Sequence, residues 1–581
     1  MSFLPLVRIW IVISALASVS GWVLSSMQQL NLAGYAVTAL LGVMLLFLMR
    51  HSLAQDGRCF CWKRITRRFA RPITLAFAGL ALLVFLGGAL YHPSNYDGLT
   101  YRVPRVLHWL DQQQWHWIHT VNYRMNDRSC GFEWLMAPIL VATQSDRFLF
   151  LINFLPFLLL PGLVFSTFTR LGVSARMSWY WMWLLPAGYN YLLQAGSIGN
   201  DGYSAVYALA AVDFALRAKA GRRIGDVWLS LVAMALLTGA KFGNLPLLLP
   251  WFLLFIPLAP KLLSKPLASL LVILTALLAS FLPTALLNYI NCSDWTGLAL
   301  ENPNIAIQNP LVGIPANSAV LLTSNFAPTV FPLAGWWNQS ALSFLPGKIS
   351  ALLLANFEGP FYQLGEIPTE EWAGVGFGLS TLLLVTVLAA WAGRRRFPFH
   401  CDQPPMKPAW GWHRRIVLWS PYVALLFFFS KSGMMTLARL VSAYYPLLLP
   451  ALLCGSAKAA LVRRRWWRWS ALAVMLLAFP VVILTPARPL WPVQTVFSKI
   501  GNAELNHPFG KRIKSVYLVY ADRPDPLAKV RPALPDDCTT VGFAAGCDDT
   551  EISLWRPFGQ RRVEDILASD SRSQIHARQI E

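Results

Sequence analysis

Charged side chains are scarce in this chain of 581 residues. Asp, Glu, Lys and Arg make up only 13% of it, about half of the ~25% that soluble globular proteins carry, while 56% of its residues are hydrophobic. This composition excludes a soluble multidomain enzyme, a disordered protein and a coiled coil. Glycine loops of the Walker A or Rossmann type, which would bind a nucleotide, are also missing from the places where such loops occur. The composition predicts a membrane protein with several spans.

The apolar runs indicate the fold class, an all-α polytopic membrane protein. A helix needs about 20 mostly apolar residues to cross the hydrocarbon core. About thirteen stretches approach that length, and the Pro and Gly residues that interrupt several of them are tolerated in membrane helices. They are about 5–26, 32–49, 73–91, 147–169, 177–195, 200–216, 226–241, 245–259, 267–289, 373–392, 416–432, 436–457 and 470–486.

Acidic residues are the scarcer charged type, with 28 Asp and Glu against 49 Lys and Arg, so the formal net charge is +21. The basic residues cluster between alternate spans, in 50–71, 216–223, 393–415 and 458–469, whereas 290–372 holds one Lys and six acidic residues. Cytoplasmic loops collect Lys and Arg. The pattern predicts a multi-pass protein with a cytoplasmic N-terminus and an external C-terminal tail. It explains the positive charge without a nucleic-acid partner.

Three stretches are predicted to lie outside the membrane on the external face: 92–146, 290–372 and 487–581. The last is expected to form a small α/β domain, because KSVYLVYA (514–521) and TTVGFAA (539–545) alternate like strands around a short helix at 525–535. An oxidising external compartment permits a disulfide between Cys538 and Cys547 in this tail. Cys59, Cys61 and Cys401 fall in predicted cytoplasmic loops.

The first external loop carries the candidate chemistry. Asp97 follows the third span, and Tyr101, Arg102, Arg105 and His108 follow Asp97 on an amphipathic helix expected to lie along the outer membrane surface. A carboxylate at the mouth of a helix bundle can accept a proton from a hydroxyl group. Arginines beside it can hold a phosphate leaving group.

This loop resembles that of bacterial GT-C-fold membrane glycosyltransferases, in particular the family 39-like (PMT/ArnT-like) enzymes. The residues that carry the resemblance are Tyr96 to Trp109 (YDGLTYRVPRVLHW), Tyr123-Arg124, Glu133, Asn200-Asp201 and TGAKFGN at 238–244. The resemblance is clear for about 90–260, loose for the later spans around Arg439, and weak for the first two helices and the tail. The chain has Gly98 where the O-mannosyltransferase pattern has Glu, which leaves protein O-mannosylation and a metal role open.

The resemblance implies an inverting glycosyltransferase that takes a sugar from a polyprenyl-phosphate carrier on the external side of the membrane. Asp97 matches the aspartate that deprotonates the acceptor, and Glu133 matches a second acidic position. The acceptor is an envelope glycan, lipid or protein. A phosphate-linked sugar is already activated, so no nucleotide cofactor is expected, and the need for a divalent metal stays undetermined. Candidate donor-phosphate ligands are Arg102, Arg105, His108, Arg124, Lys241 and Arg439, and further site candidates are Tyr101, Asn200 and Asp201.

The implied organisation places two additional helices at 1–50 and a GT-C-like catalytic core at 73–289 that includes the loop 92–146. A large external loop at 290–372, the C-terminal spans at 373–486 and the tail domain at 487–581 complete it. The resemblance also implies the bacterial inner membrane, with its lipids as partners and a periplasmic tail.

Each candidate residue also has a structural interpretation. Asp97 could cap the loop helix, Asp201 is expected to cap the helix that follows it, and one of Arg102 and Arg105 is expected to snorkel to lipid headgroups. Lys241 could anchor a helix end.

Two other functions compete with the transferase: a transporter or flippase for a lipid-linked precursor, and a non-catalytic envelope assembly protein. A transporter would show paired repeats and charges at the membrane midplane. The chain has no evident repeat, and its intramembrane charges gather at the outer helix ends, which disfavours transport.

Overall fold

The computed structural model describes residues 4–50, 68–221, 223–301, 305–307, 309–357, 362–394, 411–499 and 508–578. Cys59, Cys61, Cys401 and most of the basic segments 50–71 and 393–415 lie outside the described residues.

Helices cover all thirteen apolar stretches. Many stretches are divided by Pro or Gly, because proline lacks the N–H that continues a helix. The helices are Leu4–Ser26, Leu32–Leu48, Pro72–Leu90, Leu151–Arg170, Ala175–Leu184, Tyr189–Ala195, Ser204–Gly221, Ile224–Ala240, Leu248–Phe255, Pro266–Ala279, Leu282–Cys292, Phe377–Arg394, Gly411–Phe429, Leu437–Leu440, Tyr445–Leu453, Ser456–Leu461 and Arg465–Ile483.

In the described part of the chain, five helical segments are long and apolar enough to cross a membrane. They are Leu4–Ser26, Pro72–Leu90, Leu151–Arg170, Phe242–Ser264 and Arg465–Ile483. Pro266–Ala279 and Leu282–Cys292, which meet at a bend of 50°, would make a sixth. These helices indicate a multi-pass membrane protein, and the count of thirteen spans stays a prediction. Ser204–Gly221 packs along Ile224–Ala240, and Pro72–Leu90 packs along the distant Arg465–Ile483, so early and late spans share one bundle.

The first external loop is helical where the sequence predicts it. A π-helical turn, Gly98–Arg102, continues into Val103–Asp111, and Arg124–Asp127 and Glu133–Thr143 follow. The expected position of the first helix on the membrane surface is wrong, because every residue from Val103 to Trp109 is buried. The helix Glu133–Thr143 and a tail strand pack against it.

The loop after Cys292 is also largely helical. Its helices are Pro310–Phe326, Ala334–Ser340 and Gly347–Asn356. A backbone bridge pairs Ala306 with Ser432, which ties the start of this loop to the segment that follows Gly411–Phe429.

The tail differs from its prediction in three respects. KSVYLVYA lies in a helix, Pro508–Asp522, whose Tyr517 and Tyr520 are both buried at a spacing of three residues. Residues 525–535 contain only the 3₁₀ turn Arg531–Ala533. The predicted disulfide is wrong: Cys538 is buried, Cys547 is exposed, and the two are not bonded.

The strand predicted at 539–545 is confirmed as Thr540–Phe543, and it pairs in parallel with Arg562–Asp565. Small helices, Val493–Lys499 and Arg572–Ala577, flank the tail.

Candidate active site

Eight of the residues predicted from the sequence line one cavity of about 100 Å³, which we call the Asp97 cavity. They are Asp97, Tyr101, Arg102, Arg124, Glu133, Asn200, Lys241 and Arg439. They come from the first external loop (the turn Gly98–Arg102 with the residue before it, and the helices Arg124–Asp127 and Glu133–Thr143), from the residues just before Ser204–Gly221 and just after Ile224–Ala240, and from the short helix Leu437–Leu440. The fold therefore gathers residues that are more than 300 positions apart in the sequence.

Asp97 is held by two arginines and not by the helix that it precedes. Its Oδ2 lies 3.1 Å from Arg439 Nη1 and 3.7 Å from Arg102 Nη2, and its side chain is 18% exposed. It makes no side-chain capping hydrogen bond, so the capping interpretation is not supported. Burial alone would raise the pKa of this carboxyl, but Arg439, Arg102 and Lys241 outweigh burial and hold its pKa well below the usual range.

Asp201 contacts two of these cations, Lys241 and Arg439. Its Oδ1 accepts from Lys241 Nζ at 2.5 Å, and its Oδ2 lies 3.3 Å from Arg439 Nε. The expected helix cap is wrong, because the following helix begins at Ser204 and the carboxylate faces Lys241 and Arg439. Asp201 therefore orients two cations that face the cavity.

Arg102 spans the cavity wall. Its Nη2 donates to Asn200 Oδ1 at 2.7 Å and to Tyr101 Oη at 3.0 Å, and Asn200 in turn donates to the carbonyl of Ala240 at 3.1 Å. Arg102 is only 2% exposed, which rules out snorkelling to lipid headgroups. Its buried Nη1 and Nε have no hydrogen-bond partner within the described residues, so some of its N–H groups are not paired.

Glu133 and Arg105 form a buried ion pair behind the cavity. Arg105 Nη2 lies 2.7 Å from Glu133 Oε1, and both side chains are at most 1% exposed. Arg105 also donates to the carbonyls of Arg128 and Ser129, at 3.0 and 2.6 Å. Arg105 does not line the cavity, and snorkelling is excluded for it as well.

The sequence analysis missed Arg128 and Glu301. Arg128 lines the cavity, and it and Arg124 are both ion-paired with the buried carboxylate of Glu301; the Arg124 Nε–Glu301 Oε1 distance is 3.4 Å. Arg128 lies four residues after Arg124, which was a usable local signal. The partner Glu301 lies more than 170 residues further along the chain, and no local pattern points to it.

The remaining wall of the cavity is apolar. It consists of Phe242, Leu298, Ile305, Met434 and Leu440. Backbone pairing fixes one of these positions, since the carbonyl of Ile305 accepts from the N–H of Gly433, the residue before Met434, at 2.8 Å. Among the lining side chains, five are cationic and two are carboxylates.

His108 lies outside the cavity and contacts the tail. Its Nε2 is 2.9 Å from Glu551 Oε1, which also accepts from Trp555 Nε1 at 2.9 Å. Burial lowers the pKa of His108, but the Glu551 carboxylate outweighs burial and raises it above its usual value. The tail segment 553–562, which contains Trp555, therefore docks on the first external loop, and its Arg556 pairs with Asp146 of that loop at 2.5 Å.

The described residues include no group of three or more His, Cys, Asp or Glu side chains arranged to hold a metal ion. Asp97 and Glu133 are each already paired with an arginine.

Comparisons with known proteins give a structural likeness only. No family model matches the chain, and no curated protein matches it. Two solved structures are similar in fold: the crystal structures of ArnT from Cupriavidus metallidurans bound to undecaprenyl phosphate and in the apo state. Each is 14% identical with a TM-score of 0.43, over 85% of this chain and 86% of that chain. Residue roles here rest on this chain's own geometry.

Proposed function

We propose that this chain is an inverting membrane glycosyltransferase that transfers a sugar from a polyprenyl-phosphate donor to an envelope acceptor on the external face. The observation that carries the proposal is the Asp97 cavity. It combines one part-exposed carboxylate, five cationic side chains and an apolar wall. A lipid phosphate ester needs these same features: cations for the phosphate, apolar surface for the first prenyl units and a base for the acceptor.

The charges of the cavity suit the leaving group better than the donor. A sugar–phosphate–prenyl diester carries one negative charge, and the prenyl phosphate that leaves acquires a second one. Arg102, Lys241 and Arg439 therefore gain more from the developing phosphate charge than from the bound donor. Interactions that strengthen in the transition state are those that raise kcat.

The reaction step assigns one role to Asp97. The acceptor hydroxyl oxygen attacks the anomeric carbon, the bond from that carbon to the phosphate oxygen breaks, and the hydroxyl proton moves to Asp97. The prenyl phosphate departs with the bonding electron pair. Attack opposite the leaving phosphate inverts the anomeric configuration.

The lowered pKa of Asp97 in the empty site would make it a weak base. Donor binding corrects this, because the phosphate competes for Arg439 and Arg102 and so weakens their hold on the carboxylate. Asp97 then becomes more basic when the donor is in place. The same competition limits the reaction of an empty enzyme with other hydroxyl compounds.

The test is sugar transfer by the purified full-length protein from a panel of polyprenyl-phosphate sugars. We expect release of prenyl phosphate and an inverted product with at least one donor, and no prenyl phosphate release by Asp97→Asn, which should still bind the donor. Tight donor binding without turnover for any donor would favour the transporter or assembly function. Equal turnover by both proteins would remove Asp97 from the mechanism and direct attention to Glu133.

A further inference from the structure

Asp97 lies at the start of the helical segment of the first external loop, where backbone N–H groups need partners from outside the helix. The first N–H groups of any helix lack an acceptor within that helix. Here Asn95 Oδ1 accepts from the N–H of Gly98, and Glu371 Oε1 accepts from the N–H of Tyr96, both at 2.9 Å. Asn95 is a local partner, but Glu371 lies 275 residues beyond Tyr96, in the large loop. A distant carboxylate therefore holds the backbone immediately before Asp97.

Two side chains of the tail hold Glu371 in turn. Arg523 Nη1 lies 2.6 Å from Glu371 Oε1, the oxygen that also accepts from Tyr96, and Tyr520 donates its hydroxyl to Glu371 Oε2. Arg523 also donates to the carbonyl of Ser94 at 3.3 Å. Hydrogen bonds to charged groups are the stronger kind, and Glu371 is only 13% exposed. The position of the tail is thus transmitted to the backbone beside Asp97.

The tail also contacts the Asp97 segment directly. Thr550 Oγ1 donates to the carbonyl of Leu99 at 3.0 Å, and Tyr96 Oη donates to the carbonyl of Asp548 at 3.5 Å. Together with the contact at residue 94, these bonds place tail groups on both sides of Asp97 along the chain. No residue of the tail lines the Asp97 cavity. Within the described residues, the tail therefore acts on the backbone that carries Asp97.

We propose that Glu371 is a positioning residue, which couples the tail to Asp97 and fixes where this carboxylate meets the acceptor hydroxyl. The inference rests on the proposed transferase function. A base must lie within hydrogen-bond reach of the proton that it removes, and a misplacement of about 1 Å can cost about a hundredfold in rate. Glu371 does not line the Asp97 cavity and acts through the backbone of Tyr96. Its loss should lower kcat and leave donor binding unchanged.

The variants separate the hydrogen bond of Glu371 from its charge. Glu371→Met removes the acceptor for the Tyr96 N–H, whereas Glu371→Gln keeps an oxygen that can accept from both Tyr96 and Arg523. The matched control is Glu366→Met. Glu366 is a buried acidic residue of the same loop, and it is ion-paired with Arg512, near the start of the tail helix Pro508–Asp522.

The experiment measures kcat, donor Kd and amide hydrogen exchange of the peptide containing Tyr96 in the full-length protein. Glu371→Met should lower kcat by about 10–100-fold, keep donor Kd within about twofold and speed exchange at Tyr96. Glu371→Gln should recover most of the lost kcat, and Glu366→Met should match the wild type in all three. If Glu371→Met does not fold, Arg523→Gln tests the same coupling and should lower kcat by about tenfold.

Failure of the inference is distinguishable from failure of the proposed function. Wild-type kcat in Glu371→Met and in Arg523→Gln would overturn the inference and keep the transferase. Equal losses of kcat in Glu371→Met and Glu371→Gln would assign the effect to the charge of Glu371 and overturn the positioning role. A loss confined to donor Kd would overturn it too, by placing Glu371 in donor binding. No turnover by the wild type with any donor would overturn the proposed function, and the inference with it.

Discussion

Two buried carboxylate–arginine clusters in this protein have opposite designs. Asp213 is fully enclosed, and its oxygens contact Ser166 Oγ at 2.7 Å, Arg217 Nε at 2.6 Å and Arg170 Nε at 3.3 Å. These partners come from two neighbouring helices, Leu151–Arg170 and Ser204–Gly221. Asp213 is 0% exposed and its partners are local, which suits a structural ion pair.

The Asp97 cluster is assembled from distant segments and is open. Cations outnumber carboxylates in its lining, and apolar side chains line the same cavity. Arg102 Nε and Nη1 have no hydrogen-bond partner within the described residues. The contrast shows that a buried Asp–Arg pair is not itself a sign of function. Cations exceed carboxylates in both clusters, so the open volume beside the charges is what distinguishes the candidate site.

The largest expected effect separates the two clusters directly. Asp97→Asn should lower kcat by about 10²–10⁴-fold, because it removes the proposed base. Asp213→Asn should instead leave kcat per folded molecule near that of the wild type and lower thermal stability. Turnover and thermal unfolding of both variants, measured in the same detergent or nanodisc, check the pattern. A large loss of kcat in Asp213→Asn at unchanged stability would break the comparison.

Glu133 resembles Asp213 more than Asp97, because its ion pair with Arg105 is fully buried. Glu133→Gln leaves Arg105 buried without its charge partner, which should cost about 3–5 kcal/mol of stability. The loss should appear as a lower unfolding midpoint at all donor concentrations. A stable Glu133→Gln protein with no turnover would place Glu133 in the chemistry instead.

Arg439 should matter for the donor more than for the fold. Arg439→Gln should weaken binding of a polyprenyl phosphate by about tenfold or more, since a charge-assisted hydrogen bond is worth about 1.5–3 kcal/mol. Binding can be followed by the ligand-induced rise in unfolding temperature. Arg170→Gln, in the Asp213 cluster, is the matched control and should bind the lipid as the wild type does.

The smallest effect concerns docking of the tail on the first-loop helix Val103–Asp111, which contains His108. Burial and then the charge of Glu551 raise the pKa of Asp565 to about 6, and Glu551 also raises the pKa of His108. A raised pKa contributes stability at low pH that is lost as pH rises through it. Asp565 should therefore weaken docking between about pH 4 and 6, and His108 should weaken it further as pH rises above about 6.5, by about 1–2 kcal/mol in total. Limited proteolysis of the tail across that range measures it, and Glu551→Gln should flatten the dependence.

Long apolar runs made the helical fold predictable, and interfacial charges at helix ends identified most of the Asp97 cavity. Sequence reasoning went wrong where a partner lies far along the chain. One of Arg102 and Arg105 was expected at the lipid surface, and no local pattern pairs Arg105 with Glu133, 28 residues further along the chain. KSVYLVYA was misinterpreted because alternation outweighed the three-residue spacing of Tyr517 and Tyr520, which marks a helix face.

The contacts that shape the site were beyond sequence patterns for the same reason. Glu301, in the large loop, orders two arginines of the first external loop, and Glu551, in the tail, fixes His108. Such pairs depend on how separate segments dock, and neither periodicity nor local spacing in the sequence predicts which segments come into contact.

The central claim is that cations hold Asp97 in its charged form until the donor phosphate engages them. The most direct measurement is the pH dependence of kcat/KM and of kcat for the transfer reaction. The profile of kcat/KM reports the free enzyme, so the acid limb of kcat/KM should lie below the usual range of a carboxyl pKa. The profile of kcat reports the enzyme with its donor bound. Its acid limb should lie at higher pH, because the bound phosphate has drawn Arg439 and Arg102 away from Asp97. Coincident acid limbs, or an acid limb of kcat that persists unchanged in Asp97→Asn, would contradict the account.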